Sequence, residues 1–183
     1  DRGIIRKALT ESGEPATETA IDRVLEPYPD LLRDEVDAVD EEAYLVHHGI
    51  VPAIDAARAA KHVVCGLGTG NIEAGARIKL ERVNLNERFD FGGFGCDAED
   101  RTDLLRAGAE RGAKRLETPL HYCRVVIIGD SPRDIKAAHA LQAECIAVST
   151  GFISTEELAR HQPDLLVADM STPGAIEMML HGA

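Results

Sequence analysis

The chain has 183 residues, 44% of them apolar, and a formal net charge of −12. That size and apolar share suffice for one domain with an aliphatic core, since there is no Trp, plus a small appendage. The acidic balance excludes a nucleic-acid or acidic-membrane surface, which needs a basic footprint, and no apolar run approaches the ~20 residues of a membrane span.

Residues from about Ile4 to Val46 read as polar, acidic helix. Ile21, Val24 and Leu25 fall at helical spacing, and Leu31, Leu32 and Val36 repeat it. Pro27 and Pro29 are expected to break the stretch into at least two helices. Asp34, Asp37, Asp40, Glu41 and Glu42 read as a solvated helix face rather than a metal site, and His47–His48 fall in a loop without metal-ligand spacing. From Gly49 the texture changes. Ile54–Ala60 is expected as a helix, His62–Leu67 as a strand, and Ile72–Val83 as a long helix. Phe89–Phe94 reads as a strand or extended loop, and Asp103–Arg115 as a helix. Strand Val125–Ile128, helix Asp134–Leu141, strand Cys145–Val148, helix Thr155–His161, strand Leu165–Ala168 and helix Gly174–Leu180 complete the chain. Strands alternating with helices imply an α/β fold, a parallel sheet covered on both faces. The division falls at 1–48, helical, and 49–183, the core. Cys65, Cys96, Cys123 and Cys145 form no CxxC and read as buried, reduced thiols of a cytoplasmic protein.

The segment VVIIGDSPRD (Val125–Asp134) carries the most chemistry. Its continuous apolar run reads as a strand buried on both faces. Asp130 then falls at the strand's carboxyl end, where open α/β sheets bind ligands. Asp130 and Asp134 together suit a hard divalent cation such as Mg²⁺, which wants few protein oxygens. Alternatively, Asp134 is a helix cap and Asp130 a solvated loop carboxylate. GTGN (Gly68–Asn71) joins a strand to a helix. Its glycines and the N–H groups near Gly70 and Asn71 favour an anion, and Thr69 offers a hydroxyl to a phosphoryl oxygen. Taken alone, the motif fits a plain turn with Thr69 as a helix cap somewhat better. Arg101, before a helix, suits a bidentate phosphate clamp or a surface pair with Asp97, Glu99 or Asp100. Lys79, mid-helix, is expected to face solvent.

Together GLGTGNIEAGARIKLE (Gly66–Glu81), FDFGGFGCDAEDR (Phe89–Arg101), VVIIGDSPRDIKAAHA (Val125–Ala140), AVSTGF (Ala147–Phe152) and PDLLVAD (Pro163–Asp169) resemble the haloacid dehalogenase-like superfamily, and within it the phosphoglycolate phosphatase-like hydrolases. The resemblance implies a Rossmann-like core with a small helical cap at 1–48. It implies Thr69 as the family's phosphoryl-binding second motif, Arg101 near the usual lysine of the third, and Asp130 and Asp134 as the fourth, the acidic pair holding Mg²⁺ directly or through water. It implies a phosphatase acting on a small phosphorylated metabolite through an aspartyl-phosphate. Separately from the resemblance, a monomer or weak homodimer is expected. The first motif, DxDxT on an N-terminal strand, is not found in the sequence. Since its strand would lie centrally in the sheet, missing residues are the favoured explanation. A dehalogenase, a phosphomutase and a non-catalytic pseudo-phosphatase that binds phosphorylated ligands are the alternatives.

Overall fold

The computed structural model describes residues 1–40 and 43–182, so Glu41 and Glu42 of the acidic cluster lie outside the described residues. Side-chain alternation along one strand organises the core. In β4 (Glu144–Val148), Cys145 and Ala147 pack to one face and Ile146 and Val148 to the other, and all four are buried. β3 (Val126–Gly129) and β5 (Leu165–Val167) flank it in the parallel order β3-β4-β5, with Ile128 opposite Ile146 and Ile146 opposite Leu165. On one face lie α4 (Ile50–Ala59) and α9 (Ala175–His181), contributing Ala53, Ala175 and Met178 to the cluster around Ile146. On the other lie α7 (Pro132–Ala140) and α8 (Thr155–Arg160), contributing Ile135, Ala138 and Leu158 to the cluster around Cys145. Ile146, Ile135 and Leu158 have no exposed surface, and burying each side chain contributes about 1.5–3 kcal/mol.

The Val125–Ile128 run is not buried on both faces. Ile127 is buried but Ile128 keeps 37% of its surface exposed, and among the described residues β3 pairs with β4 alone. A second parallel pair, β1 (Leu67–Gly68) with β2 (Gly92–Gly93), holds only two residues per strand. The expected strand His62–Leu67 therefore contracts to its last residue plus Gly68. Leu67 N donates to Phe91 O at 3.0 Å and Thr69 N to Gly93 O at 3.0 Å. α6 (Arg101–Arg115) crosses β2 at close range. A Cβ at Gly93 would stand 1.8 Å from Leu104 O and 3.0 Å from Gly108 N, which is why FDFGGFG needs its glycines. α6 and α4 tie the two sheets together: Leu105 packs beneath β3 and lies against Gly68, and Ile50 packs on both the β4–β5 core and the cluster of Ile54, Leu85 and Phe89.

The N-terminal region forms three helices, α1 (Arg2–Glu11), α2 (Glu18–Leu25) and α3 (Tyr28–Ala38), with Ile21, Leu25 and Val36 buried. Thr17 caps α2, its hydroxyl accepting from Ala20 N at 3.2 Å. Pro27 is the N-cap of α3 and Pro29 sits in its first turn, so the prolines divide the stretch into separate helices, as expected, by opening the second one. α3 packs on α5 (Glu73–Arg82). α1 is fastened by Arg6, whose Nε donates to Glu99 at 2.9 and 3.0 Å, and by Arg2 to Glu18 and Asp22. All four cysteines are free, but only Cys145 is fully buried, and Cys96 is exposed. No described helix is long and apolar enough to cross a membrane.

Candidate functional site

Arg101 opens α6 just after β2, and Asp134 lies in the first turn of α7 just after β3. The two side chains touch, so the carboxyl ends of both sheets share one rim. Asp134 is 2% exposed. Its Oδ1 accepts from Arg101 Nε at 2.7 Å and lies 2.6 Å from Nη2. Its Oδ2 accepts from Ser131 Oγ at 2.7 Å and Ser131 N at 3.2 Å. Ser131 is the N-cap and Asp134 the third residue of a capping box, with Pro132 at the favoured first positions. An unpaired carboxylate this deep would be costly, and here both oxygens are satisfied. Any part Asp134 takes in holding an ion would therefore run through water or through its support of the turn.

Asp130 differs. It is exposed at the end of β3 and forms no hydrogen bond to a described residue. Its carboxylate rests on Gly151, where a Cβ would come within 2.3 Å of Oδ2. An unencumbered carboxylate at a strand's end is a fitting oxygen ligand for Mg²⁺, which keeps most of its waters. Among the described residues no group of three or more His, Cys, Asp and Glu is placed to hold an ion, so Asp130 would hold it with water and ligand oxygens.

The Thr69 turn is held from several sides. Asn71 N donates to Thr69 Oγ1 at 3.1 Å, which leaves the Thr69 hydroxyl proton to donate elsewhere. Gly70 is exposed, and its N–H has no partner among the described residues. Asn71 Nδ2 and Ile72 N, by contrast, donate to the two oxygens of the Asp1 carboxylate at 3.0 and 2.7 Å. The donors left for an anion are thus the Thr69 hydroxyl and the Gly70 N–H, while the Asn71 N–H is used within the turn. Gly95 closes over this turn: its N donates to Asn71 O at 2.8 Å, and a Cβ would meet Gly70 O at 2.1 Å.

Lys79 does not face solvent. It is half-buried, and its Nζ donates to Asn71 Oδ1 at 3.2 Å. The signal was the spacing of eight residues, two helical turns, with the long side chain leaning back toward the helix start. Arg101's rival partners are all engaged elsewhere. Asp97 takes both arms of Arg111 at 2.6 Å, and that guanidinium holds its carboxyl below the usual carboxylate range. Glu99 is held low in the same way by Arg6. Asp100 caps α6, accepting from Thr102 N and Asp103 N. A cleft of about 530 Å³ beside His48 and Met170 includes none of Thr69, Asn71, Arg101, Asp130 or Asp134.

Parallel strands, helices on both faces and a polar rim at the strands' carboxyl ends define a Rossmann-like α/β protein. More narrowly, the chain belongs to the haloacid dehalogenase-like hydrolases, whose family model matches residues 2–139. No curated protein matches it in sequence. Among solved structures it is similar to a predicted phosphatase from Clostridium acetobutylicum, at 18% identity and a TM-score of 0.63, covering 96% of this chain and 76% of that one. It is also similar to a haloacid dehalogenase-like family hydrolase from Streptococcus pneumoniae, at 15% identity and a TM-score of 0.58, covering 93% and 89%. At these identities the likeness establishes the shared fold.

Proposed function

We propose that the protein is a Mg²⁺-dependent phosphatase acting on a small phosphorylated metabolite. The reading is supported by a carboxylate at the end of β3, Asp130, with no hydrogen-bond partner among the described residues, and by a turn after β1 that offers the Thr69 hydroxyl and the Gly70 N–H. Membership of a hydrolase family supports it. In this reading a carboxylate nucleophile, for which no DxDxT segment is found in residues 1–183, attacks phosphorus. The leaving-group P–O bond breaks, and water then hydrolyses the aspartyl-phosphate. The Thr69 hydroxyl and Gly70 N–H hold non-bridging oxygens as charge develops on them. Lys79, anchored on Asn71, supplies positive charge beside that turn. Arg101 keeps Asp134 in place and through it the turn that carries Asp130. Bound at Asp130, Mg²⁺ would neutralise charge on the phosphoryl group. The acidic surface leaves nucleic acid a poor partner.

Two measurements on the full-length protein test the reading. Calorimetric titration of Mg²⁺ should show weaker binding in Asp130→Asn, and equal affinity would remove Asp130 from the site. Hydrolysis of a generic aryl phosphate by Thr69→Val should fall about 10²–10³-fold in kcat/KM. Unchanged hydrolysis would reject the role of Thr69.

A further inference from the structure

Asp1 is the residue that no motif in the sequence singles out, yet its contacts converge on the candidate site. α5 begins at Glu73 with Ile72 as its N-cap, and Ile72 has no side chain able to cap. The first turn of a helix leaves N–H groups unpaired, and an acidic side chain there is favoured both by the hydrogen bond and by the helix dipole. The Asp1 carboxylate takes that place from 71 residues away, with Oδ2 accepting from Ile72 N at 2.7 Å. Its Oδ1 accepts from Asn71 Nδ2 at 3.0 Å and from the Tyr28 hydroxyl at 3.4 Å. The Asp1 backbone nitrogen donates to Gly70 O at 2.6 Å. Gly70, Asn71 and Ile72 are therefore each bound by one residue. Tyr28 belongs to α3, and its ring lies 3.0 Å from where a Cβ on Gly75 would stand. α1 starts at the next residue, Arg2.

We infer that Asp1 is a positioning residue for the Thr69–Asn71 turn, linking the N-terminal helices to the donors of the rim. This rests on the phosphatase reading for its catalytic consequence, though not for its structural one. By taking the side-chain amide of Asn71 and the N–H of Ile72, Asp1 turns those donors away from the ligand and fixes the orientation of Asn71. Asn71 in turn receives Lys79 on Oδ1 and donates its N–H to Thr69 Oγ1. Removing the carboxylate frees Asn71 to rotate, so the Thr69 hydroxyl and the Lys79 ammonium lose their common reference. The effect belongs to kcat, because the donors still exist but no longer stand where the transferring phosphoryl group needs them.

The test compares the full-length wild type with Asp1→Ala, Asp1→Asn and Thr17→Ala. The last removes the α2 cap, away from the rim, and so reports the effect of losing a cap by itself. Two readouts are taken: amide hydrogen exchange at Thr69–Ile72, and Mg²⁺-dependent hydrolysis of an aryl phosphate. In Asp1→Ala, exchange at Asn71 and Ile72 should quicken about fivefold or more relative to the interior of α5. kcat should fall about tenfold or more, with KM within about twofold. Asp1→Asn, which keeps one acceptor for Ile72 N, should recover part of both, and Thr17→Ala should change neither. Unaltered exchange at Ile72 in Asp1→Ala would overturn the inference. So would wild-type kcat in Asp1→Ala alongside a loss of thermal stability like that of Thr17→Ala. A wild type without any hydrolysis would sink the phosphatase reading instead, and the exchange data alone would then decide whether Asp1 orders the turn.

Discussion

Arg101→Met keeps most of the aliphatic stem and removes the charge that faces Asp134. The carboxylate it leaves is 2% exposed and retains only the Ser131 bonds on Oδ2, while Oδ1 loses two charge-assisted contacts at 2.6–2.7 Å. Removing one partner of a buried ion pair costs about 3–5 kcal/mol. The Arg101 side chain is 27% exposed, so water can reach part of the vacated space. The loss should therefore lie at the low end, about 3 kcal/mol. In a chain of this length that lowers the melting temperature by about 6–12 °C. In urea the midpoint should fall at constant slope, as expected when stability changes but the surface exposed on unfolding does not. A double-mutant cycle isolates the pair: Arg101→Met with Asp134→Asn should lose less than the sum of the singles, by about 1–3 kcal/mol. A single-variant loss under about 1 kcal/mol, the range of exposed pairs, would refute the reasoning. Asp134 would then not depend on Arg101, and the support of the Asp130 turn would have to come from Ser131 alone.

Three further outcomes follow from other contacts. Gly93→Ala forces α6 off β2, since the new methyl would stand 1.8 Å from Leu104 O. A thermal scan should register a loss of about 1–3 kcal/mol or more, and wild-type stability would mean that the helix crossing is not tight. Asp97 is held below the usual carboxylate range first by its hydrogen bonds to Arg111. Its contribution is therefore present above its unfolded value of about 3.9 and is lost as pH falls through the lower folded value. Asp97→Asn should accordingly be less stable than wild type at pH 7 in urea, with the gap closing below about pH 4, whereas a pH-independent gap would exclude the ion pair as its source. Burial pushes the Cys145 thiol up to about 12, while Cys96 is exposed. An aromatic disulfide reagent at pH 8 should label Cys96 in the native protein and Cys145 only after denaturation. Early labelling of Cys145 would contradict the packing of β4.

Elements whose sequence reports their own environment are legible in the sequence. The apolar run Cys145–Val148 that forms most of β4 and the Gly-Asp exit of β3 are local patterns. So is the helix following GTGN. Partners distant along the chain were not legible. Nothing near Arg101 marks Asp134, 33 residues away, as its partner; the local sequence offers a phosphate clamp or a pair with the nearer carboxylates at 97, 99 and 100. Asp1 reaches Ile72 across 71 residues, a pairing that no periodicity encodes. Ile128 reads as a core residue because apolar runs do not say whether a strand has one neighbour or two. Likewise, His62–Leu67 has the composition of a strand, but only Leu67 and Gly68 find a pairing partner, in Gly92 and Gly93.

Diffraction from a crystal of the full-length protein grown with Mg²⁺ and a phosphate mimic bears most directly on the rim as a phosphoryl-transfer site. The expected result is an octahedral ion about 2.1 Å from an Asp130 oxygen, with the mimic accepting from the Thr69 hydroxyl and the Gly70 N–H. An ion and mimic bound elsewhere, with Asp130 still unligated and Thr69 turned away, would contradict it.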